Sequence, residues 1–285
     1  MKYLITGKNG QLAREFIRKF ETQSNDFMAP DEAHLDITNP GKVAAVVREY
    51  RPEVIINCAA YNLVDKAEQD NRAAFAVNEL GPKNLAQAAD THKAVLVHFG
   101  SDYVFDGLKE NGLYTEQDGT GPLNEYGKSK LAGEQQVLKA SSKALVLRLS
   151  WVFGPGRQNF IYKLNEWTKT TDYLKIACDE FSVPTSTATV VEVTLEALAQ
   201  GLTGKYHLTN SGYCSRYEWA KAALAGLGIR KFVRPVSMDS FNLPAKRPKF
   251  SAMSNDRIAS LLNVSIPTWE EAVRSFVKRG GLTSE

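Results

Sequence analysis

Short unbroken apolar runs alternate along the chain with longer segments in which apolar residues recur every three or four positions. KYLIT (2–6), EVIINCAA (53–60), AVLVHFG (94–100) and ALVLRLS (144–150) are runs of the first kind, the pattern of strands buried on both faces of a parallel sheet. After the first run, Leu12, Phe16 and Phe20 stand four apart with Ala13 and Ile17 beside them, which predicts an amphipathic helix. NPGKVAAVVREY predicts another, with Asn39 as N-cap and Pro40 at the first helical position. Segments 78–92 and 125–139 carry the same periodicity, the second capped by Asn124. Strands and helices in this alternation imply right-handed βαβ units and a doubly wound, Rossmann-like α/β fold.

Beyond LSWVFGPGRQN the regularity loosens, and a domain boundary is expected near residue 153. Helices are expected near 160–171, 189–201, 215–227, 254–262 and 268–278, with strands near 174–177 and at KYHLT (205–209). Pro-containing loops such as NLPAKRPKF separate the last helices, which are placed to cover a second ligand.

The strand-to-helix turn Gly7-Lys8-Asn9-Gly10-Gln11-Leu12-Ala13 carries the first chemical signal. Glycines here let the backbone approach a pyrophosphate, whose charge the N–H groups and dipole of the helix N-terminus stabilise. The stretch FGSDYVFDGLKENGLYTEQDGTGPLNEYGKSK (99–130) carries the second. Ser101 and Asp102 fall at the carboxyl edge of a strand, where open α/β sheets bind ligands. Tyr126 and Lys130 project from one face of the following helix, a turn apart. A tyrosine of ordinary pKa, about 10, exchanges protons poorly at neutral pH, and a neighbouring ammonium lowers that pKa. A serine holding a carbonyl oxygen, a tyrosine protonating it and a nicotinamide giving its carbon a hydride make one mechanism; a chance spacing on a surface helix is the bland alternative.

At 285 residues, 43% hydrophobic and 24% charged, the chain is long enough for one large or two modest globular domains. A formal net charge of +3 gives no reason to expect a nucleic acid or a membrane partner. Arg230, Lys231, Arg234, Lys246, Arg247 and Lys249 nevertheless gather towards the C-terminal end. No stretch reaches the roughly 18 apolar residues of a membrane span, and the N-terminus lacks the shape of a signal peptide, so a cytoplasmic protein is expected. Cys58, Cys178 and Cys214 are too scattered for a metal site and are expected as reduced core or near-core thiols. The four histidines are scattered too, with His98 and His207 in expected strands, and no metal is expected.

These motifs, in this order, resemble the extended short-chain dehydrogenase/reductase superfamily and, more narrowly, the dTDP-4-dehydrorhamnose reductase family. The resemblance runs over roughly residues 2–275 through GKNGQLA, LDITN, NCAAYNLVDKAE, SDYVFDG, PLNEYGKSKLAGE, LRLSWVFG and RPKFSAMSNDRI. It implies a Rossmann domain over 1–153 that binds NADPH or NADH. It also implies a smaller, discontinuous C-terminal domain within 154–285 for a dTDP-linked 4-keto-6-deoxyhexose, with the chain returning to the sheet around 174–209. Gly7, Gly10, Gln11 and Leu12 fall in the cofactor turn, Asp36 and Ile37 at the adenine pocket, and Ala59, Ala60 and Tyr61 beside the ribose and pyrophosphate. Ser101, Tyr126 and Lys130 match the catalytic set, with Tyr126 and Lys130 also meeting the cofactor. Ser101, Asp102, Val104, Trp151, Asn159 and Arg247 fall at substrate positions. A homodimer is compatible with this reading.

Several of these positions also have structural readings: Trp151 and Tyr61 as packing, Asp36 as a turn cap, Arg247 as a solvated charge. Asp65, Lys66 and Glu68 read as an ordinary charged helix start. CDEFSVPTS (178–186) departs from the family, putting Glu180, Phe181, Ser182 and Val183 where relatives commonly carry a glutamine and a glycine. Asp31 or Glu32 suits a free ribose 2′-hydroxyl whereas Lys8 favours a 2′-phosphate, which leaves both cofactors open. So do two wider alternatives: a reductase or epimerase of another nucleotide sugar, and a cofactor-binding regulatory subunit like that of methionine adenosyltransferase. Intact Ser101, Tyr126 and Lys130 argue against the second.

Overall fold

A computed structural model describes residues 1–282. Six strands form one all-parallel sheet: Lys2–Thr6 (β1), Asp26–Met28 (β2), Val54–Asn57 (β3), Val95–Ser101 (β4), Leu145–Leu149 (β5) and Gly204–His207 (β6), in the order β6-β5-β4-β3-β1-β2. Each of the four apolar runs supplies a strand, because a sheet covered on both faces needs apolar residues in both directions. One face packs on helix Gln11–Gln23 (α1) and on Thr187–Ala199 through Phe16, Phe20, Val190 and Val191. The other packs on Pro40–Tyr50 (α2), Gly81–His92 (α3) and Glu125–Ala140 (α4) through Val43, Val47, Leu85, Ala89 and Val137. The expected caps form: Asn39 accepts from Lys42 N at 3.1 Å and Asn124 from Gly127 N at 2.8 Å.

A third apolar cluster, built on Phe153, Ile161, Leu164, Trp219, Trp269 and Phe276, lies in the C-terminal part of the chain. Strand Leu174–Ala177 belongs with it, pairing with Val233–Val236 instead of joining the sheet. Leu174 and Ile176 bury their side chains there, so the return to the sheet is made by Thr187–Ala199 and β6. Cys178, at the end of that strand, is exposed, unlike buried Cys214 and half-buried Cys58. No helix of the described residues is long and apolar enough to cross a membrane.

The expected helix 78–92 begins instead with a π-helical turn, Ala76–Leu80, that runs into α3. This turn brings Asn78 under the protein: it is 1% exposed, accepts from Tyr61 N at 2.9 Å, and donates to Tyr61 O and Ser129 Oγ at 3.0 Å each. Ser129 in turn donates to Tyr126 O at 2.7 Å. The π turn and α4 approach so closely at Gly133 that a Cβ there would strike the Asn78 carbonyl. The loop between β4 and α4 is fastened by its own acids: Glu116 accepts from His207 N at 2.9 Å, and Asp118 pairs with Lys109 at 2.7 Å.

Gly133→Ala is expected to cost about 1–3 kcal/mol of stability, the range for overpacking a tight contact. A thermal melt followed by circular dichroism measures it, and an unchanged midpoint contradicts the close approach.

Candidate active site

β1 lies between β2 and β3, so the crossovers reverse direction at the carboxyl ends of β1 and β3, the place where open α/β sheets hold ligands. Gly7 follows β1 with φ +68°, and a Cβ there would lie 2.7 Å from Ala59 N, so only glycine lets the turn nest against the loop after β3. Gly10, donating to Gly7 O at 2.9 Å, is the N-cap of α1 and has no side chain to satisfy the first-turn N–H groups. Ala59 N is held by Thr6 Oγ1 at 3.3 Å and Asn57 Oδ1 at 3.2 Å. Beside this cradle stand two buried polar atoms without a partner among the described residues, Gln11 Oε1 and the Tyr61 hydroxyl. A glycine cradle, an uncapped helix start and orphaned polar atoms are the features a dinucleotide would satisfy.

Not all the expected cofactor residues face the cradle. Leu12 is buried in the core, while Gln11 Nε2 donates to Val152 O at 3.1 Å. Asp36 Oδ1 accepts from Thr38 N and Oγ1 at 2.9 and 2.7 Å, closing a turn, and Ile37 packs its buried side chain beneath Gly81 of α3. Lys8 and Asp31, read as competing signals, sit together as an ion pair of 3.7 Å.

Ser101 ends β4, and Tyr126 and Lys130 occupy the start of α4, so one sheet edge and one helix bring the three together. Ser101 Oγ accepts from Tyr103 N and donates to Asp102 Oδ1, both at 3.2 Å. Tyr126 packs edge-on against Tyr103 with ring centroids 5.8 Å apart. The Tyr126 hydroxyl donates to Asn62 Oδ1 at 3.5 Å; burial pushes the phenol up to about 12, the neighbouring Ser101 hydroxyl pulls it back, and the Asp102 charge raises it further. This is opposite to the lowering expected from Lys130. That ammonium is 3% exposed, donates to the Phe99 carbonyl at 2.6 Å and is itself brought down to about 8 by burial, with Glu134 opposing.

Several residues expected at the substrate have partners within the fold. Asp102 is 3% exposed, and its carboxylate accepts from Ser101, Ser150, Ser182 and Ser251 at 3.2, 3.3, 2.8 and 2.6 Å. Val104 is fully buried with Phe105, Tyr114 and Met253. Asn159 spends its side chain capping helix Phe160–Thr170, accepting from Tyr162 N and donating to Gly154 O and Gly156 O. Arg247 forms a two-point pair with Asp65 at 3.0 and 2.7 Å, which gives the charged helix start a partner. Trp151 remains half-buried at the carboxyl end of β5 in a left-handed conformation, φ +38°. Arg216, not singled out from the sequence, lies 3.6 Å over its ring and pairs with Glu180. The family departure at 178–186 was the only signal pointing there.

The sheet order, the glycine cradle and the converging Ser101, Tyr126 and Lys130 define a Rossmann-type enzyme of the short-chain dehydrogenase/reductase class. The chain belongs to the family described as the RmlD substrate binding domain, which matches residues 1–281. It is 34% identical to the dTDP-4-dehydrorhamnose reductase of Burkholderia thailandensis, over 98% of each chain. A crystal structure of a dTDP-4-dehydrorhamnose reductase from Clostridium acetobutylicum superposes with a TM-score of 0.94 at 37% identity, covering 98% of this chain and 99% of the other. One from Bacillus anthracis, in complex with NADP, does so with a TM-score of 0.93 at 35% identity, covering 98% and 100%.

Two predictions arise from these charges. Lys130, lowered to about 8, loses its proton before Tyr126, raised to about 12. Turnover is therefore expected to fall as pH rises through about 8, and Lys130→Arg to carry that limb upward, because arginine stays charged. A wild-type kcat/KM profile that stays flat from about pH 7 to about 9.5 contradicts it. Asp31→Asn is expected to free Lys8 for a 2′-phosphate and to shift the ratio of NADPH to NADH affinity by about 3- to 10-fold, with Lys8→Ala shifting it the other way. Fluorescence titration of both cofactors measures the ratio, and an unaltered ratio in both variants removes the role of this pair.

Proposed function

We propose that the protein reduces the C4 keto group of dTDP-4-dehydro-6-deoxy-L-mannose to give dTDP-L-rhamnose, with NADPH or NADH as cofactor. The observation that carries this reading is the convergence of Ser101, Tyr126 and Lys130 beside the Gly7 cradle at the switch point of the sheet, in a chain of this family. The names of the relatives supply the sugar nucleotide.

The cofactor, when bound, supplies the hydride for C4. Gly7, Gly10 and the first turn of α1 would hold its pyrophosphate, Ala59, Ala60 and Tyr61 would line its path, and Lys130 would meet the nicotinamide ribose. Tyr126, a neutral phenol at pH 7, hydrogen-bonds the C4 oxygen and protonates it as negative charge develops there. Ser101 sits beside the phenol, and its 3.2 Å bond to Asp102 is long enough to exchange for the substrate oxygen. The part of the chain after residue 153, with Arg247 in it, would supply most of the sugar-nucleotide side of the cleft together with Trp151, and residues 1–153 the cofactor side.

Tyr126→Phe is expected to lower kcat by about 10²- to 10⁴-fold, the usual worth of a positioned acid, with cofactor affinity unchanged. The measurement is loss of NADPH absorbance with dTDP-4-keto-6-deoxyhexose. Turnover equal to wild type would remove the mechanism.

A further inference from the structure

Arg216 opens helix Arg216–Gly226, whose start is secured by a capping box between Ser215 and Glu218. A cation in the first turn opposes the helix dipole, so helix stability does not account for an arginine there. Its position is nevertheless fixed at several points. Arg216 N donates to the Glu180 carbonyl at 3.1 Å, while Nε and Nη2 donate to the two Glu180 carboxylate oxygens at 3.2 and 3.1 Å. The guanidinium carbon, Cζ, lies 3.6 Å from the Trp151 ring centroid. The pair is largely withdrawn from water, with side chains 20% and 8% exposed.

This arrangement lies near the proposed reaction site, since Ser182, two residues after Glu180, donates to Asp102. Trp151 directly follows Ser150, which is bonded to Asp102, and both the Glu180 and Arg216 charges act on the Tyr103 phenol, whose ring packs on Tyr126. The guanidinium also lies 5.2 Å from the Phe160 ring and 5.5 Å from that of Trp219, which itself stacks on Trp151. Nη1 makes no hydrogen bond to any described residue. Glu180 neutralises the cation, so the pair presents donors and acceptors with little net charge, which suits sugar hydroxyls better than a diphosphate.

We propose that Arg216, clamped by Glu180 over Trp151, is a specificity-determining residue that hydrogen-bonds the hydroxyls of the substrate's sugar. This rests on the reading of the protein as a nucleotide-sugar reductase. It also gives a purpose to the departure at 178–186: a carboxylate at Glu180 holds the arginine flat and in register, where an amide would lack the charge to do so.

The test compares dTDP with dTDP-L-rhamnose by calorimetry on the full chain saturated with NADPH, alongside KM and kcat for the 4-keto sugar nucleotide. Arg216→Lys keeps the charge and loses the planar fork. It is expected to weaken dTDP-L-rhamnose by about 10- to 100-fold, the worth of one or two hydrogen bonds to a charged group, with dTDP held within about twofold. KM should rise while kcat stays within about threefold. Glu180→Gln, nearly isosteric, loosens the same clamp and is expected to show the same selective loss. Equal weakening of both ligands overturns the proposal in favour of a diphosphate contact, and no weakening of either overturns it in favour of a purely structural ion pair. A wild-type protein that reduces no dTDP-4-keto sugar and binds dTDP-L-rhamnose no better than dTDP sinks the functional reading and this proposal together, an outcome distinct from the other two.

Discussion

The site depends on one buried carboxylate. Asp102 is all but excluded from water, and burial pushes its carboxyl upward while four serine hydroxyls pull it back. Withdrawing an ion from water costs several kcal/mol, so a buried charge persists only where hydrogen bonds surround it. Each donor comes from a different segment: Ser101 from the end of β4, Ser150 from the end of β5, Ser182 from the family departure, and Ser251 from the stretch after Arg247. Satisfying Asp102 therefore brings together the four strips of chain that wall the cleft. Trp151 adjoins one of these serines, Glu180 precedes another by two residues and Arg247 a third by four. The resemblance suggested a substrate contact at Asp102; the packing makes it the fastening that sets the other contacts in register.

A second fastening couples the cofactor side to the catalytic helix. The π turn at Ala76–Leu80 puts Asn78 where one amide grips both backbone groups of Tyr61 and the Ser129 hydroxyl. Ser129 lies between Tyr126 and Lys130 on α4. The loop after β3 and the helix bearing the proton donor cannot shift independently without orphaning buried polar groups, which costs about 1–3 kcal/mol each. Together with the Thr6–Asn57–His98 row across the ends of β1, β3 and β4, this network makes the floor of the cleft polar yet rigid. Burial and the nearby Lys130 charge keep His98 neutral, the form that suits a row of amide and hydroxyl partners.

The doubly wound fold was legible because strands covered on both faces leave continuous apolar runs, and the caps at Asn39 and Asn124 are local side-chain to backbone bonds. The placing of Ser101 at a strand end and of Tyr126 and Lys130 on the helix after it was legible for a similar reason, since both elements are local in sequence. What the sequence did not reveal are pairings across long separations. Arg247 with Asp65 and Arg216 with Glu180 join residues 182 and 36 positions apart, and no periodicity marks them. Nor did polarity predict exposure: Asn159, expected at the substrate, is buried, with Oδ1 capping a helix and Nδ2 donating to the carbonyls of Gly154 and Gly156. The strand at 174–177 misled because a short apolar run fits either sheet, and only the third core cluster decides which one takes it.

The protonation of the proposed catalytic pair, Tyr126 and Lys130, bears on how it would work. The expectation that Lys130 activates Tyr126 by lowering its resting pKa belongs to an exposed pair, and both residues here are governed first by burial, which raises one and lowers the other. Across the neutral range the tyrosine is a phenol and the lysine an ammonium. A phenol is the state that can give a proton, so the raised value favours reduction, in which the substrate oxygen gains one. Once that proton leaves, a phenolate stands one helical turn from the Lys130 ammonium. In a site this poor in water their attraction is much stronger than in bulk solvent. In the proposed mechanism the lysine would therefore act on the state that forms during proton transfer rather than on the resting tyrosine. Its anchorage on the Phe99 carbonyl keeps it in place until that charge appears.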